Sequence, residues 1–514
     1  MADLSIKNKV IVLGLDGATW EIIMPLVNNG NLPAFNRLIK GGCWGNLQST
    51  IPHFTIPAWN TLVTGKNPAQ LGFSTFMVKD GHHQFKPYFS RYDCKDEIWN
   101  IIGGNNKKVI VVNVPTISTP YPINGQMVAG WLHSSGPFTY PTELADEMKK
   151  EISDYQIDIF GTDEKGNLII PKTKKDFIKK LYAMTEARRE SLRFFMKKDW
   201  EFMFFVFVGS DRLQHRFFQD KDLLSEYFKK LDGIMAEVID HLDKNTTLFL
   251  VSDHGFGQKR RVFALNDWLI KTRFLAINNM KKTNTNKSLA RTLKKLYSLP
   301  ILNQMINLIP KKLLSKMRKI GKLPSIDDLD INWQETRAYN YSPLGEIYIN
   351  SDDKKSERYN NLLNSVVNEL HRIKDDQGKR LSAKVHKTND MYNHHPGDNF
   401  PDLFIEFDET INAINSKVGN DRLFIKTDGG EHRRNGIFLA YGNNIKPNGN
   451  IGDIQMIDVC PTLLLSLGLP LPQYMTGSPL EKIYLNKPKR ISVINDERAI
   501  IKEKIELLKK TGKI

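Results

Sequence analysis

Short apolar runs alternate along the chain with longer stretches in which apolar residues recur at helical spacing. The short runs are typical of buried strands, and they occupy residues 10–15, 109–113, 201–208 and the beginning of 246–255. The longer stretches predict helices at residues 32–42, 177–197 and 223–242. Because strands that alternate with helices form mainly parallel sheets covered on both faces, the pattern predicts an α/β protein.

The pattern changes at about Phe263, where stretches rich in Asn and Lys begin. They run to about Leu329 and contain Leu and Ile at helical spacing, which predicts a helical insertion. Alternating strand and helix patterns then resume and continue to about Leu480. We therefore predict a discontinuous catalytic core at residues 1–262 and 333–485, a basic helical insertion or lid at 263–332, and a charged C-terminal helix at 486–514.

The net charge of +16 is concentrated in the predicted insertion. Of the 73 Lys and Arg residues, 14 lie between Trp268 and Ile326, a segment without Asp or Glu, so the remainder is nearly neutral. The segment is either a lid with a solvated basic face or a surface for an anionic membrane, an acidic glycan or a polyphosphorylated substrate. Nucleic acid is disfavoured, because neither aromatic interleaving nor a nucleic-acid motif accompanies the charge.

The cysteines and the N-terminus bear on the cellular compartment. Cys43, Cys94 and Cys460 form no CxxC pair, which argues against a cysteine zinc site and a disulfide framework. The apolar run at 10–15 is too short for a signal-peptide core, and no run of about 18 apolar residues indicates a transmembrane helix. We expect a cytoplasmic protein, with peripheral membrane attachment left open.

Polar residues follow several of the predicted strands, at the sheet edge where ligands bind in open α/β folds. The candidate metal ligands are Asp16, Asp211, His215, Asp253, His254 and His432. Asp211 and His215 are four residues apart, so one helix face would present both to a single cation. Each motif alone is more often a turn, a surface pair or a surface histidine. Together, three carboxylates and three imidazoles can form two sites that suit Zn²⁺ or Mn²⁺ rather than Ca²⁺.

The segment 49–73, STIPHFTIPAWNTLVTGKNPAQLGF, resembles the nucleophile region of type I phosphodiesterases and nucleotide pyrophosphatases, in the alkaline phosphatase superfamily. In that family a Thr or Ser before a hydrophobic-Pro pair begins a helix, and here Thr55 precedes Ile56-Pro57. A T-G-x-x-P-x-x-x-G stretch follows, from Thr64 to Gly72. The six candidate ligands also occur in the family's order along the chain.

This resemblance implies an alkaline-phosphatase-like three-layer sandwich with a mainly parallel central sheet, and two divalent ions, Zn²⁺ or alternatively Mn²⁺. One ion would be held by Asp16, Thr55, Asp253 and His254, and the other by Asp211, His215 and His432. The ions would activate the Thr55 hydroxyl, which attacks phosphorus and forms a phospho-threonine that water then cleaves. The implied function is metal-dependent hydrolysis of a phosphodiester or phosphomonoester.

One departure from the family pattern affects the expected substrate. Where nucleotide pyrophosphatases have a phosphoryl-binding Asn directly after the proline, this chain has Ala58. Asn60 is a candidate catalytic replacement, or it faces solvent. Arg212 and Arg433 are candidates for binding further phosphate oxygens, or partners of the metal ligands.

The departure brings the chain closer to a branch of loosely characterised phosphohydrolases and phosphomutases, so the substrate is a phosphorylated small molecule or a lipid- or glycan-linked phosphate. A phosphotransferase or phosphomutase that uses the same intermediate is an alternative, and so is a non-catalytic anion-binding protein.

The basic segment generates a first prediction. Deleting residues 268–326 should weaken binding to vesicles that contain anionic lipids, because the deletion removes all 14 of the clustered positive charges. Vesicle co-sedimentation of the wild type and the deletion variant measures the change, with neutral phosphatidylcholine vesicles as the control. Unchanged binding to the anionic vesicles would leave only the lid interpretation.

Overall fold

The computed structural model of the chain describes residues 8–488, apart from residues 82, 88–95, 132, 134–135, 153, 163–167, 279–322, 393–395 and 408–412. Within these ranges, no helix combines the length and the apolar character needed to cross a lipid bilayer.

The centre of the molecule is a nine-stranded sheet. Numbered in chain order and given in spatial order, its strands are β22 (Gly449–Gln455), β2 (Cys43–Gln48), β21 (Asn435–Tyr441), β11 (Thr246–Val251), β1 (Lys9–Leu15), β10 (Phe202–Phe207), β5 (Val109–Val112), β6 (Gly125–Val128) and β7 (Thr139–Tyr140). Five of the eight neighbouring pairs are parallel, so the sheet is mixed but mostly parallel. The predicted α/β fold is confirmed.

Thirteen α-helices lie within the described residues, and most of them flank this sheet. They are α1 (Trp20–Asn28), α2 (Pro33–Gly41), α3 (Thr55–Thr64), α4 (Pro68–Leu71), α5 (Ile98–Gly104), α6 (Leu144–Glu151), α7 (Lys174–Met196), α8 (Gly209–Phe217), α9 (Lys221–Asp240), α10 (Leu265–Lys271), α11 (Glu357–Leu370), α12 (Thr388–Tyr392) and α13 (Val459–Ser466). The helices α7 and α9 begin two or three residues before their predicted starts. The reason is that Thr173 and Asp220 cap them, by accepting hydrogen bonds from the amides of Asp176 and Leu223.

The strands β1, β10 and β11 occupy the middle of the sheet and are almost wholly buried. Their apolar runs are continuous because both faces of a central parallel strand are covered. The register pairs Leu15 with Phe207 and Gly14 with Val251, so the three strands end at the same level. The residues that follow these three strands are therefore brought together at one edge of the sheet.

A second, smaller group of strands packs beside the central sheet. A four-stranded sheet has the order β14 (Ala338–Tyr339), β15 (Glu346–Ile349), β17 (Leu403–Phe407) and β16 (Ala383–Lys387), and a three-stranded sheet has the order β18 (Ala413–Asn415), β13 (Arg261–Ala264) and β19 (Phe424–Lys426). Two-stranded pairs are formed by β12 (Gly255–Gln258) with β20 (Gly430–Arg433), β3 (Met77–Lys79) with β4 (Phe85–Pro87), and β8 (Gly161–Thr162) with β9 (Leu168–Ile169). The four- and three-stranded sheets share a hydrophobic core with α10 and α11, which we call the second core.

The start of the predicted basic insertion contributes to this second core. Helix α10 buries Trp268 and Leu269 there, and Phe274 follows them into the same core. The rest of the insertion, at 279–322, lies outside the described residues, as does the predicted C-terminal helix from residue 489 onward. The domain boundaries and the role of the insertion stay predictions. A deletion confined to 279–322 is the better form of the vesicle experiment, because it keeps Trp268, Leu269 and Phe274 of the second core.

Helix α2 depends on a cap from a distant helix. Its own N-cap residue, Leu32, has no side chain that can accept a hydrogen bond. The buried carboxylate of Asp232, on α9, instead accepts hydrogen bonds from the amides of Ala34 (3.1 Å) and Phe35 (2.8 Å). The carboxylate thus satisfies two of the free amides at the start of α2 and ties α2 to α9.

Removing this cap should destabilise the fold. We expect Asp232→Ala to lower the free energy of unfolding by about 1–3 kcal/mol, because two buried amides lose their acceptor. Urea denaturation followed by circular dichroism measures the change. Glu226→Ala, at an exposed position of the same helix, is the control and should change stability by less than about 0.5 kcal/mol. Equal stabilities of the two variants would contradict the capping role.

Candidate metal centre

Three aspartates meet where the central strands end. Asp16 follows β1, Asp211 lies in the first turn of α8 after β10, and Asp253 follows β11. Each is at most 2% exposed. The common level of the three strand ends brings these carboxylates together at the edge predicted from the sequence.

The first donor group consists of Asp211, His215 and His432. Helix α8 presents Asp211 and His215 on one face, and the Oδ1 of Asp211 lies 3.2 Å from the Nε2 of His215. Strand β20 pairs with β12 and brings His432 in, with its Nε2 at 3.3 Å from the same oxygen. The two imidazole Nε2 atoms are 2.9 Å apart. One oxygen and two nitrogens therefore point at a common position.

The second donor group consists of Asp16, Asp211 and His254. The Nε2 of His254 lies 3.7 Å from the Oδ1 of Asp16 and 3.2 Å from the Oδ2 of Asp253. The same nitrogen lies 3.3 Å from the hydroxyl of Thr55, the first residue of α3. Asp211 thus belongs to both groups, whereas the sequence had assigned it to one only.

Three carboxylate oxygens in the centre are buried without a hydrogen-bond partner among the described residues. They are the Oδ1 atoms of Asp16 and Asp211 and the Oδ2 atom of Asp253. An unpaired buried carboxylate oxygen is costly, so such atoms call for a bound cation. Oxygen and imidazole nitrogen donors in two groups fit a pair of divalent ions such as Zn²⁺ or Mn²⁺.

The raised pKa values of two of the carboxylates also favour bound cations. Burial, with the negative charge of Asp211 adding to it, raises the pKa of Asp16 to about 7. Burial and the charges of Asp16 and Asp211 raise the pKa of Asp253 well above its ordinary value. Three buried carboxylates repel one another when ionised, and bound cations would remove that repulsion.

His254 and His432 are oriented so that each can bind a cation as a neutral ligand. The Nδ1 of His254 donates to the carbonyl of Gly255 (3.0 Å), and the Nδ1 of His432 donates to the carbonyl of His53 (3.2 Å). Because a carbonyl only accepts, these bonds leave each Nε2 with its lone pair toward the centre. Burial also lowers the pKa of both rings, which favours their neutral form.

His215 differs from the other two histidines. Burial alone would lower its pKa, but the attraction of Asp211 outweighs burial and raises it. In return, His215 holds the pKa of Asp211 well below its ordinary value, although burial acts to raise it. Each side chain stabilises the charged form of the other, and a bound cation would take the place of the positive charge on His215.

Trp59 is a functional residue that the sequence reasoning missed. Its indole N–H donates to the Oδ2 of Asp16 over 3.1 Å and so orients that carboxylate. A Cβ atom at Gly14 would lie 2.5 Å from the Trp59 ring, so the glycine makes room for the indole above β1. A signal was available, because Trp59 lies four residues after Thr55 and therefore on the same face of α3.

The structure does not bring Asn60 to the centre. Its side-chain amide is buried and donates to the carbonyl of Ile56, one turn earlier on the same helix. Neither expected orientation, toward the centre or toward solvent, describes this arrangement. The bond to the helix backbone satisfies the buried amide locally, which explains why it does not turn outward.

The two predicted phosphate-binding arginines have different surroundings. Arg212 is clamped by the buried carboxylate of Asp158, at distances from 2.8 to 3.2 Å, and also donates to Asp211. Its charge supports a metal ligand, which matches the partner interpretation. Arg433 donates to the carbonyls of His432 (3.4 Å) and Gln258 (3.0 Å) and lies beside the centre.

Comparison with known proteins agrees with this arrangement. A family profile described as type I phosphodiesterase/nucleotide pyrophosphatase matches residues 10–433 of the chain. No curated protein sequence matches closely enough to count as a relative.

Solved structures share the fold. Murine ectonucleotide pyrophosphatase/phosphodiesterase 5, as an inactive variant in complex with AMP, is 14% identical with a TM-score of 0.51, over 91% of this chain and 96% of that chain. The human protein of the same name is 13% identical with a TM-score of 0.51, over 93% of this chain and 100% of that chain. At this level of identity the likeness extends to the fold alone.

The shared position of Asp211 predicts how metal content responds to mutation. Asp211→Asn should lower the affinity for both ions, because the residue belongs to both donor groups, whereas His432→Ala should lower the affinity for one. Inductively coupled plasma mass spectrometry of protein dialysed against limiting Zn²⁺ measures the bound metal. Asp222→Asn, at an exposed position on α9, is the control. Wild-type metal content in Asp211→Asn would contradict the shared role.

Proposed function

Because the chain belongs to the type I phosphodiesterase/nucleotide pyrophosphatase family, we propose that it hydrolyses phosphate esters with Thr55 as the nucleophile. The observation that carries the proposal is the position of the Thr55 hydroxyl, at the first residue of α3 and 3.3 Å from the Nε2 of His254. A hydroxyl beside two buried donor groups is the arrangement that nucleophilic phosphoryl transfer requires.

In this proposal, Asp16, Asp253 and His254 hold one ion together with the Thr55 hydroxyl. Asp211, His215 and His432 hold the other ion, and the position of Asp211 between the groups couples the two sites. Divalent ions bound there lower the pKa of the hydroxyl and offset the negative charge of the phosphoryl group.

The chain itself supplies the remaining parts of the reaction. The hydroxyl of Thr55 gives up its proton and its oxygen attacks phosphorus, the bond from phosphorus to the leaving oxygen breaks, that oxygen takes up a proton to leave as an alcohol, and a phospho-threonine forms. A water oxygen then attacks the same phosphorus and releases Thr55. The amides at the start of α3 face the incoming anion, since the N-terminus of a ten-residue helix favours negative charge.

Aromatic residues next to Thr55 support a substrate with a flat body. The rings of Phe54 and Phe76 lie 5.6 Å apart, and Phe76 is 37% exposed, which is unusual for a phenylalanine. A structurally similar protein was crystallised with AMP. We propose nucleotide-like phosphodiesters or anhydrides as the substrate class, with Zn²⁺ or Mn²⁺ as the native metal.

The nucleophile assignment predicts a large kinetic effect. Thr55→Ala should lower kcat for bis(p-nitrophenyl) phosphate by at least about 10³-fold, because no other hydroxyl replaces the nucleophile, and Thr55→Ser should keep part of the activity. Thr61→Ala, on the same helix, is the control and should keep wild-type kcat. Acid-quenched wild-type protein should also yield a peptide phosphorylated on Thr55 in mass spectrometry. Wild-type turnover by Thr55→Ala would end this assignment.

A further inference from the structure

A cavity of about 400 Å³ adjoins the metal centre on the side of the second core. Its lining includes His53 and His432, the latter a member of the first donor group, and Phe404 and Ile405 of β17. Its positively charged lining residues are Lys384 of β16, Arg433 and Arg434. Because His432 belongs to both the cavity lining and the metal centre, the cavity lies next to that centre, and we call it the Arg434 cavity.

The carboxylates in the wall of the Arg434 cavity are already paired. Glu406 contacts the Nε2 of His386 (2.6 Å) and lies 3.4 Å from the Nδ1 of His53. Glu431 forms an ion pair with Lys259 at 2.8 Å. These contacts engage both carboxylates, and neither Glu406 nor Glu431 forms an ion pair with Arg434 or Lys384 in the part of the chain that the structure describes.

Two cations of the cavity have no such partner. The Nε of Arg434 is buried without a hydrogen-bond partner, and neither Arg434 nor Lys384 forms an ion pair with any residue that the structure describes. A buried guanidinium nitrogen that is left unpaired is unfavourable unless a ligand supplies an acceptor. The cavity therefore offers positive charge that the fold itself does not neutralise.

The remaining wall is mostly apolar. Leu344 and Ile414 join Phe404 and Ile405 in lining it. Apolar walls lower the effective dielectric constant, which strengthens the attraction of the half-buried Arg434 for an anion, and the exposed Lys384 adds a second positive charge. A guanidinium suits the planar or branched oxygens of a carboxylate or a phosphate.

We propose that the Arg434 cavity binds a second anionic group of the substrate, a phosphate or a carboxylate, through Arg434 and Lys384. This inference rests on the proposed function, because it takes the metal centre as the place of the scissile phosphate. It narrows the substrate class to phosphate esters that carry another negative charge a short distance from the reacting phosphorus. The cavity then acts as a specificity site for that charge.

Matched ligands test the proposal directly. Isothermal titration calorimetry of the Zn²⁺-supplemented full-length protein compares butyl phosphate with butane-1,4-diol bisphosphate and hexane-1,6-diol bisphosphate. We expect at least one bisphosphate to bind about tenfold tighter or more than butyl phosphate. A third ligand, 4-carboxybutyl phosphate, distinguishes a carboxylate site from a phosphate site, since only the preferred anion gains the full advantage.

Single charge removals identify the residues responsible. Arg434→Gln and Lys384→Gln should each reduce the advantage of the bisphosphate to about threefold or less and change butyl phosphate affinity by less than about twofold. Arg422→Gln removes one exposed positive charge outside the cavity and should keep the full advantage. Thermal melts of the variants verify folding, and the exposed Lys384→Gln change provides a second variant if Arg434→Gln is unstable.

The outcomes separate the two proposals. Equal affinities for butyl phosphate and both bisphosphates in the wild type would overturn the Arg434 cavity as an anion site, and so would an advantage that survives in both Arg434→Gln and Lys384→Gln. Hydrolysis of bis(p-nitrophenyl) phosphate is measured in parallel. A protein that keeps the bisphosphate advantage but hydrolyses no ester would refute the proposed function and leave the cavity assignment standing.

Discussion

The mutual repulsion of three buried aspartates is the constraint on which the rest of the structure depends. Asp16, Asp211 and Asp253 are held together because the strands before them end at one level in the sheet. Burial removes the water that would otherwise screen their charges. Two positive elements can relieve this, namely cations in the centre and Arg212, which contacts Asp211 and is itself anchored by Asp158. The sheet therefore holds three carboxylates close together, and bound metal ions would offset their negative charges.

Uncharged groups around the centre orient the candidate metal ligands. The indole of Trp59 holds Asp16, the amide of Gly17 donates to Asp253 over 3.3 Å, and the carbonyl of His53 fixes the ring of His432. Gly17 adopts a positive φ of 69°, and this turn conformation suits glycine. These contacts connect residues distant in the chain, so the geometry of the centre depends on the packing of α3, β20 and the central strands together.

The second core contributes residues to the Arg434 cavity beside the metal centre. Its strand β17 lines the Arg434 cavity, which His432 of the metal centre also lines. Glu406 on that strand contacts His53, two residues before Thr55. The loop before Thr55 and the second core thus contact each other through the side chains of His53 and Glu406. Ala58, where the family pattern has a phosphoryl-binding asparagine, lies on α3, whereas the proposed anion site is lined in part by the second core.

The sequence alone determined the parts that rest on local patterns. The runs of the central strands and the shared helix face of Asp211 and His215 follow from periodicity within a few residues. The start of α3 at Thr55 follows from the resemblance of the segment around Ile56-Pro57 to the family pattern. Tertiary structure decided what depends on distant contacts: that Asp211 joins both donor groups, that Trp59 orients Asp16, and that Asn60 bonds to its own helix. It also decided that residues from Phe263 onward enter a second core. Side-chain rotamers and pairings between distant strands are chosen by the packing of the whole chain, and a short stretch of sequence does not contain that information.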